Sequence, residues 1–322
     1  MRFRSLSRSP RTFSEIGFGT WGLGGDAYGP VDDAQSISCI HRAMDLGVNF
    51  FDTSDLYGNG HSEEVLGLAL EGRRDQAIVA TKVGLLPHSG FAMPTDFSPR
   101  HIRLGIEASL RRLRVDHVDL YQLHSPELAQ LRGDGAILET LSALRSEGKT
   151  RLLGVSARSP ADAVAMLALF DFDFVQVNFN LIDHRASETG LFELAQARGV
   201  GVIARTPLCF GYLSGRLTGR RDFVGSDHRA NWPEAQLARW AAAPGLFDRL
   251  ISARGCTPAQ FALLYCLHPA AVTTVIPGMM TPAEVDENTG VAHLPPLTAA
   301  EIEAVAAIYR ANTFYDRAAK AG

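Results

Sequence analysis

The sequence predicts a closed (β/α)8 barrel spanning all 322 residues as one domain. Short β-branched or aromatic runs alternate with longer segments of helical period, the pattern of a parallel α/β protein. From about residue 14 onward there are eight such runs, and no linker interrupts them. Eight right-handed crossovers bring the last strand back beside the first. An open doubly wound sheet is the competing arrangement.

The strands are read in order as EIGFGT from Glu15, VNFFD from Val48, AIVATK from Ala77 and VDLYQLH from Val118. They continue as RLLGVS from Arg151, FVQVNF from Phe174, GVIART from Gly201 and TTVIPG from Thr273. Between them lie DDAQSISCIHRAMDLG, SPRHIRLGIEASLRRL, AILETLSALRSEGK and SPADAVAMLALF, several opening on Asp or Ser-Pro, which cap and start a helix. TPAQFALLYCL and TPAEVDENTGV supply the seventh and eighth helices. Two segments depart from alternation. Residues 208–245 are rich in Gly, Arg and Trp and too long for a plain strand-to-helix link, which marks a functional loop. The tail LTAAEIEAVAAIYRAN has helical period and follows the eighth unit, so an extra C-terminal helix is expected outside the barrel.

Composition narrows the function. Charged residues make up 20% of the chain and the formal net charge is -4, with no basic run for nucleic acid. The N-terminal MRFRSLSRSPRTFSE lacks the apolar segment of a secretory signal, and no apolar run reaches the length of a membrane span. The expected setting is cytoplasmic and the expected partner is a small molecule; the oligomeric state is not legible. Cys39, Cys209, Cys256 and Cys266 lack the paired spacing of a zinc or redox site, and no HExxH occurs. Neither a metal nor a catalytic thiol is expected.

In such a barrel, chemistry collects at the C-terminal ends of the strands. The stretch VNFFDTSDLYGNG ends a strand in acid and adds Asp52, Asp55 and Tyr57 within a few residues. Lys82 ends the third strand and His124 the fourth. A phenol is a weak proton donor at neutral pH, and a buried ammonium beside it favours the phenolate, so Lys82 is expected to lower the pKa of Tyr57. A buried lysine needs a counter-charge, which Asp52 provides. His124 adds a group that can hold a carbonyl oxygen. Together these residues fit protonation of a carbonyl oxygen while hydride reaches its carbon.

With those residues in place, the chain resembles the aldo-keto reductases. The resemblance runs through GFGTWGLGG, GVNFFDTSDLYGNGHSEEVLG, IVATKVG, SLRRLRVDHVDLYQLHSP, GKTRLLGVS, VQVNFN and VIPGMMTPAEVDEN. It implies a catalytic tetrad at Asp52, Tyr57, Lys82 and His124, and a nicotinamide dinucleotide across the barrel mouth without a GxGxxG turn. The implied cofactor contacts are Thr20, Trp21, Asp52, Ser156, Gln176 and Arg205, then Leu208, Leu213, Gly215 and Arg216 in a pyrophosphate loop. Gly278, Met280, Glu284, Glu287 and Asn288 complete them at the adenosine end. Ser156 and Gln176 are implied to hold the nicotinamide carboxamide. Ala157 replaces the usual asparagine there, and Arg205 stands where many members have a stacking tyrosine. Arg220 and Arg221 read as a solvated pair. Met280 in place of a basic residue, with Glu284 nearby, favours NAD(H) over NADP(H), because a carboxylate accepts from a free ribose hydroxyl and repels a phosphate. The substrate implied is an aldehyde, ketone or sugar hemiacetal, or the matching alcohol. A regulatory dinucleotide-binding subunit, like the channel β-subunits that resemble this family, is the alternative.

Overall fold

A computed structural model describes residues 1–88, 92–133, 135–217, 223, 225 and 227–315. Eight parallel strands follow one another around a single sheet in chain order. They are β1 (Phe18–Gly19), β2 (Phe50–Asp52), β3 (Ile78–Val83), β4 (Val118–His124), β5 (Thr150–Ser156), β6 (Phe174–Asn178), β7 (Gly201–Arg205) and β8 (Val272–Val275). Isolated bridges join Ile16 to Val275 and Gly19 to Gly278, and the Gly17 amide donates to the Val275 carbonyl at 2.8 Å, so the sheet closes on itself. β1 and β8 are shorter than EIGFGT and TTVIPG suggested. Glycine and proline interrupt regular pairing along this seam, where a Cβ on Gly19 would stand 2.8 Å from the Ile276 carbonyl oxygen.

The helices that follow each strand are α1 (Asp33–Asp45), α2 (His61–Ala69), α3 (Pro99–Leu113), α4 (Ala136–Ser146), α5 (Pro160–Leu169), α6 (Leu191–Arg198), α7 (Pro258–Cys266) and α8 (Pro282–Thr289). Side chains of Asp32, Ser98, Ser159, Thr257 and Thr281 each accept an amide hydrogen bond from the first turn, and four of these helices carry proline there. α1 buries Ser36, Cys39, Ile40, Ala43 and Met44, a stripe spaced by three and four residues that faces the sheet and its neighbours.

The N-terminus holds an element that its basic sequence does not announce. Phe3–Ser5 pairs with Thr12–Ser14 as an antiparallel hairpin. Its Leu6 and Phe13 enter the barrel and cluster with inward-facing Phe50, Ile78, Leu120, Leu152, Phe174 and Ile203. Arg2 and Arg4 both pair with Glu15, at 2.6 and 2.9 Å, so the charges that obscured the strands tie the hairpin to the seam.

Inward positions recur every second residue along a strand. Two residues beyond this apolar layer, Phe50 is followed by Asp52, Ala80 by Lys82, Leu120 by Gln122, Phe174 by Gln176 and Ile203 by Arg205. The registers Lys82 with Gln122, His124 with Ser156, and Ser156 with Gln176 bring them to neighbouring heights. The barrel is therefore apolar below and polar at its C-terminal mouth.

The long segment 208–245 is structured where described, with 3₁₀ turns at Tyr212–Ser214 and His228–Asn231 and a helix at Glu234–Ala242. Trp240 is its fully buried centre, with Phe210, Tyr212, Trp232 and Tyr315 around it. The C-terminal helix spans Ala299–Ala311, and its Tyr309 stacks on His184 at 3.8 Å. No helix among the described residues is long and apolar enough to cross a membrane.

Asp119 clamps the lower rim: its Oδ2 accepts the Val79 amide at 2.9 Å and Arg74 at 2.7 Å. Asp119→Ala is expected to lower the unfolding free energy by about 3 kcal/mol by stranding the buried Val79 amide and removing the carboxylate that Arg74 and Arg11 face. Urea denaturation reads this as a lower midpoint at unchanged slope; a midpoint like that of the wild type would contradict it.

Candidate active site

Lys82 leaves β3 on the inner face and is wholly buried. Its ammonium donates to Asp52 Oδ1 at 2.6 Å, to the Thr53 carbonyl at 2.7 Å and to Tyr57 Oη at 3.1 Å. All three of its hydrogens are used. The second oxygen of Asp52 accepts from Gln122 Nε2 at 3.2 Å and from Gln176 Nε2 at 2.8 Å, which fixes the carboxylate plane. Four strands thus converge on one ion pair.

Burial opposes the charge on Lys82, yet Asp52 and Tyr57 outweigh it and raise its pKa, so the ammonium persists at neutral pH. Burial also pushes the Tyr57 phenol above its usual value, while Lys82 pulls it down. The expectation that Lys82 lowers this pKa is corrected in its net sign: the lysine's pull is present, and desolvation exceeds it. The phenol stays protonated at neutral pH.

Tyr57 reaches this position through a turn built on two touching backbones. Gly58 has φ of 59°, and a Cβ on it would lie 2.2 Å from the Gly24 carbonyl oxygen. The Gly58 amide donates to Asp26 Oδ2 at 3.1 Å. His124 stands on the other side, its ring nearly perpendicular to that of Tyr57 with centroids 6.0 Å apart. Its Nδ1 is 3.1 Å from Ser54 Oγ. Burial, with the nearby charges of Lys82 and Arg205, holds His124 well below the usual histidine pKa, so the imidazole is neutral.

A cavity of about 980 Å³ opens over this group and extends to the start of α8. Asp52, Tyr57, His124, Gln176 and Arg205 form its floor, with Trp21 and Leu208 beside them. Gly278, Met280, Glu284, Glu287, Asn288 and Arg216 line its far end. Four of the implied contacts are placed elsewhere. Thr20 is fully buried and donates through Oγ1 to the Asp52 carbonyl at 3.0 Å, joining β1 to β2. Leu213 turns into the apolar core. Its amide donates to the Leu208 carbonyl, and that of Gly215 to the Tyr212 carbonyl, so these amides close on the turn instead of facing a phosphate. Ser156 lies behind the floor, between His124 and Gln176 in register.

Arg216 pairs with Glu284 at 3.1 Å and with Glu287 at 2.5 Å. The second Glu284 oxygen accepts the Met280 amide at 2.7 Å. Arg216, implied as a pyrophosphate contact, thus spans to the first turns of α8. Arg220 and Arg221 lie outside the described residues. The fit to a dinucleotide rests on the extent of the cleft and on an orphaned polar group at its inner end. Arg205 Nε is buried without a partner among the described residues, which suits a polar carboxamide; Ser156 Oγ is likewise unpartnered but lies behind the floor. Arg205 also donates to the Ala157 carbonyl at 3.1 Å, just beyond the end of β5. Among the described residues no group of three or more His, Cys, Asp or Glu is placed to hold a metal ion.

Sequence reasoning missed Gln122, Ser54 and the roof of the cavity. Gln122 had a signal, a polar residue in an apolar strand at the inward position before His124. The segment 208–245 was marked as a functional loop, but its seat over the cavity had no signal, since the His228 amide donates to the Ala27 carbonyl at 2.8 Å across two hundred residues of chain. It brings His228 within 4.5 Å of Trp21 and 5.2 Å of Tyr28, ring to ring.

Residues 15–310 match the Aldo/keto reductase family. The chain belongs to that family. This aldo/keto reductase is an NAD(P)-dependent oxidoreductase that works between carbonyl compounds and alcohols. Its fold matches the glycerol dehydrogenase AKR11B4 from Gluconobacter oxydans with a TM-score of 0.82 and 31% identity, over 98% of this chain and 97% of that one. The NADH-specific methylglyoxal reductase of Escherichia coli (strain K12) is 31% identical over 300 residues, 88% of this chain and 91% of its own. The NADP(+) aldo-keto reductase yakc of Schizosaccharomyces pombe is 29% identical over 291 residues, 87% of this chain and 84% of its own.

Because a side chain at Gly58 collides with Gly24, Gly58→Ala is expected to move Tyr57 off Lys82. Turnover should fall about tenfold to a hundredfold, with the dinucleotide dissociation constant within about threefold of wild type. Steady-state kinetics beside a fluorescence titration would test this, and native turnover would show that the turn does not position the phenol.

Proposed function

We propose that this aldo/keto reductase interconverts an aldehyde, ketone or sugar hemiacetal with its alcohol, with Tyr57 as the group that gives up or takes the oxygen's proton. One observation carries the reading: the Lys82 ammonium bridges Asp52 and Tyr57 at 2.6 and 3.1 Å beneath an open cavity. A bound nicotinamide dinucleotide supplies or accepts the hydride. Tyr57 protonates the carbonyl oxygen in reduction, and the ammonium 3.1 Å away stabilises the phenolate left behind. Neutral His124 holds the same oxygen and orients the carbonyl. Trp21, Leu85 and Phe210 make one side of the cavity apolar, which accommodates a carbon skeleton.

Tyr57→Phe is expected to lower turnover about a thousandfold while leaving dinucleotide affinity within about threefold. Lys82→Met should be as severe. It removes the larger of the two influences that lower the phenol pKa, Arg205 being the other, so the part of the alkaline limb that belongs to the phenol should be lost or move to higher pH in any residual reductase activity. An unchanged phenol limb in Lys82→Met would refute the tuning role, and near-native turnover in Tyr57→Phe would refute the donor.

For the cofactor we favour NAD(H). Two carboxylates, Glu284 and Glu287, share one guanidinium at the start of α8, and Met280 places no charge there. A 2′-phosphate brought to this end meets net negative charge, whereas a free ribose hydroxyl can donate to a carboxylate. Dissociation constants for NADH and NADPH should favour NADH. Met280→Arg with Glu284→Arg should move the preference towards NADPH by at least about tenfold. Tighter NADPH binding by the wild type would reverse this assignment.

A further inference from the structure

Asp55 takes no part in the chemistry above, yet it is connected to it. Ser54 Oγ lies 3.0 Å from Asp55 Oδ1 and 3.1 Å from His124 Nδ1. It also accepts the Leu56 amide at 3.2 Å. A hydroxyl has one hydrogen and two lone pairs. With one lone pair given to Leu56, one hydrogen and one lone pair remain for Asp55 and His124, and counting allows two arrangements. An ionised Asp55 only accepts, so Ser54 donates to it and must itself accept from His124 Nδ1–H, which leaves Nε2 as an acceptor. A protonated Asp55 donates to Ser54, which then donates to Nδ1 and leaves the proton of the neutral imidazole on Nε2.

We propose that Asp55, acting through the Ser54 hydroxyl, sets which ring nitrogen of His124 carries the proton, and so whether His124 offers the substrate oxygen a donor or an acceptor. Resting on the carbonyl–alcohol reading above, this makes Asp55 a positioning residue. The donor state suits a carbonyl oxygen and the acceptor state suits an alcohol hydroxyl. The two states differ by one proton, and the change balances. A proton taken up at Nε2 releases the Nδ1 proton to Ser54 Oγ, and the Ser54 proton passes to Asp55.

The surroundings place the switch in the physiological range. Partial burial and the adjacent Glu63 carboxylate push the Asp55 carboxyl up to about 7, against the pull of the Ser54 hydrogen bond and of Arg112. Glu63, on α2, is fully buried and paired with Arg112 of α3 at 2.6 Å and with Thr81 of β3 at 2.5 Å. The Tyr121 phenol on β4 also feels the charge of Asp55. Around His124 stand Lys82, Arg205 and His88, whose charges all disfavour a cationic ring, and Tyr57. These hold the imidazole neutral through the transition, so what changes is the tautomer.

Nitrogen-15 NMR of histidine-labelled enzyme, with the His124 signals assigned by their loss in His124→Gln, tests the proposal without any turnover. Wild type should pass from the Nε2–H to the Nδ1–H tautomer between about pH 5.5 and about pH 8.5, with a midpoint about 7. Asp55→Ala leaves Nδ1 as the remaining acceptor for Ser54 and should hold the Nε2–H form throughout, and Ser54→Ala should abolish the transition. In the reductive direction, wild-type kcat/KM should fall up to about tenfold per pH unit above the midpoint, and Asp55→Ala should remain flat there. A single His124 tautomer across this range in wild type, or an unchanged transition in either variant, overturns the proposal. If the tautomer titrates as described but no carbonyl compound is reduced, the functional reading fails and the hydrogen-bond chain stands.

Discussion

The mouth of this barrel is organised around one buried ammonium. Removing the Lys82 charge from water costs several kcal/mol unless every hydrogen finds an oxygen, and Asp52, the Thr53 carbonyl and Tyr57 supply the three. Each partner is then constrained in turn: Gln122 and Gln176 hold Asp52, while the Gly24–Gly58 contact holds the turn that carries Tyr57. The same charge, with burial and Arg205, keeps His124 neutral. Solvation of a buried cation by protein therefore fixes where Asp52 and Tyr57 stand, while burial keeps both the Tyr57 phenol protonated and the His124 ring neutral.

The barrel makes that arrangement affordable through its period of two. Phe50, Leu120, Phe174 and Ile203 pack with Phe13 of the N-terminal hairpin as a dry layer directly below the polar one. Water cannot reach Lys82 from beneath, so its interactions operate at low dielectric and are correspondingly strong. Asp52, Lys82 and His124 sit on β2, β3 and β4, while Tyr57 sits in the turn that follows β2. The cavity walls come instead from connecting segments, with Trp21 and Tyr28 on one and Phe210, His228 and Trp232 on another. Walls carried on connecting segments can vary independently of the groups on the strands beneath them.

The far end of the cleft follows a different logic. Arg216, Glu284 and Glu287 are partly exposed and pair across the opening, where solvent weakens each contact. Such groups can rearrange around a ligand at small cost, unlike the Lys82 cluster. On the cofactor reading proposed above, selectivity between dinucleotides is a matter of local charge on a few side chains of α8 and the preceding turn, with the scaffold unaffected.

How much was legible follows from the range of the interactions concerned. Strand and helix positions, the helix caps and the four residues brought to the mouth are written locally, in period, in Ser-Pro and Thr-Pro starts, and in polar residues that end apolar runs. Those signals need only a few neighbouring residues, and the strands they marked assemble in chain order around the barrel. The N-terminal hairpin was hidden because its arginines are neutralised by Glu15 and by carbonyls met only after folding. Thr20 and Leu213 turned inward because closure of the seam and of the 208–216 turn left them no face on the cavity. The net pKa of Tyr57 depended on how completely the barrel buries it, which no spacing of residues expresses. Asp55 stood in plain view beside Tyr57, but its link to His124 spans seventy residues through one serine hydroxyl. Residue type and order determined which groups this chain carries to the end of each strand; the distances between those groups, and the dielectric in which they act, exist only once the sheet has closed.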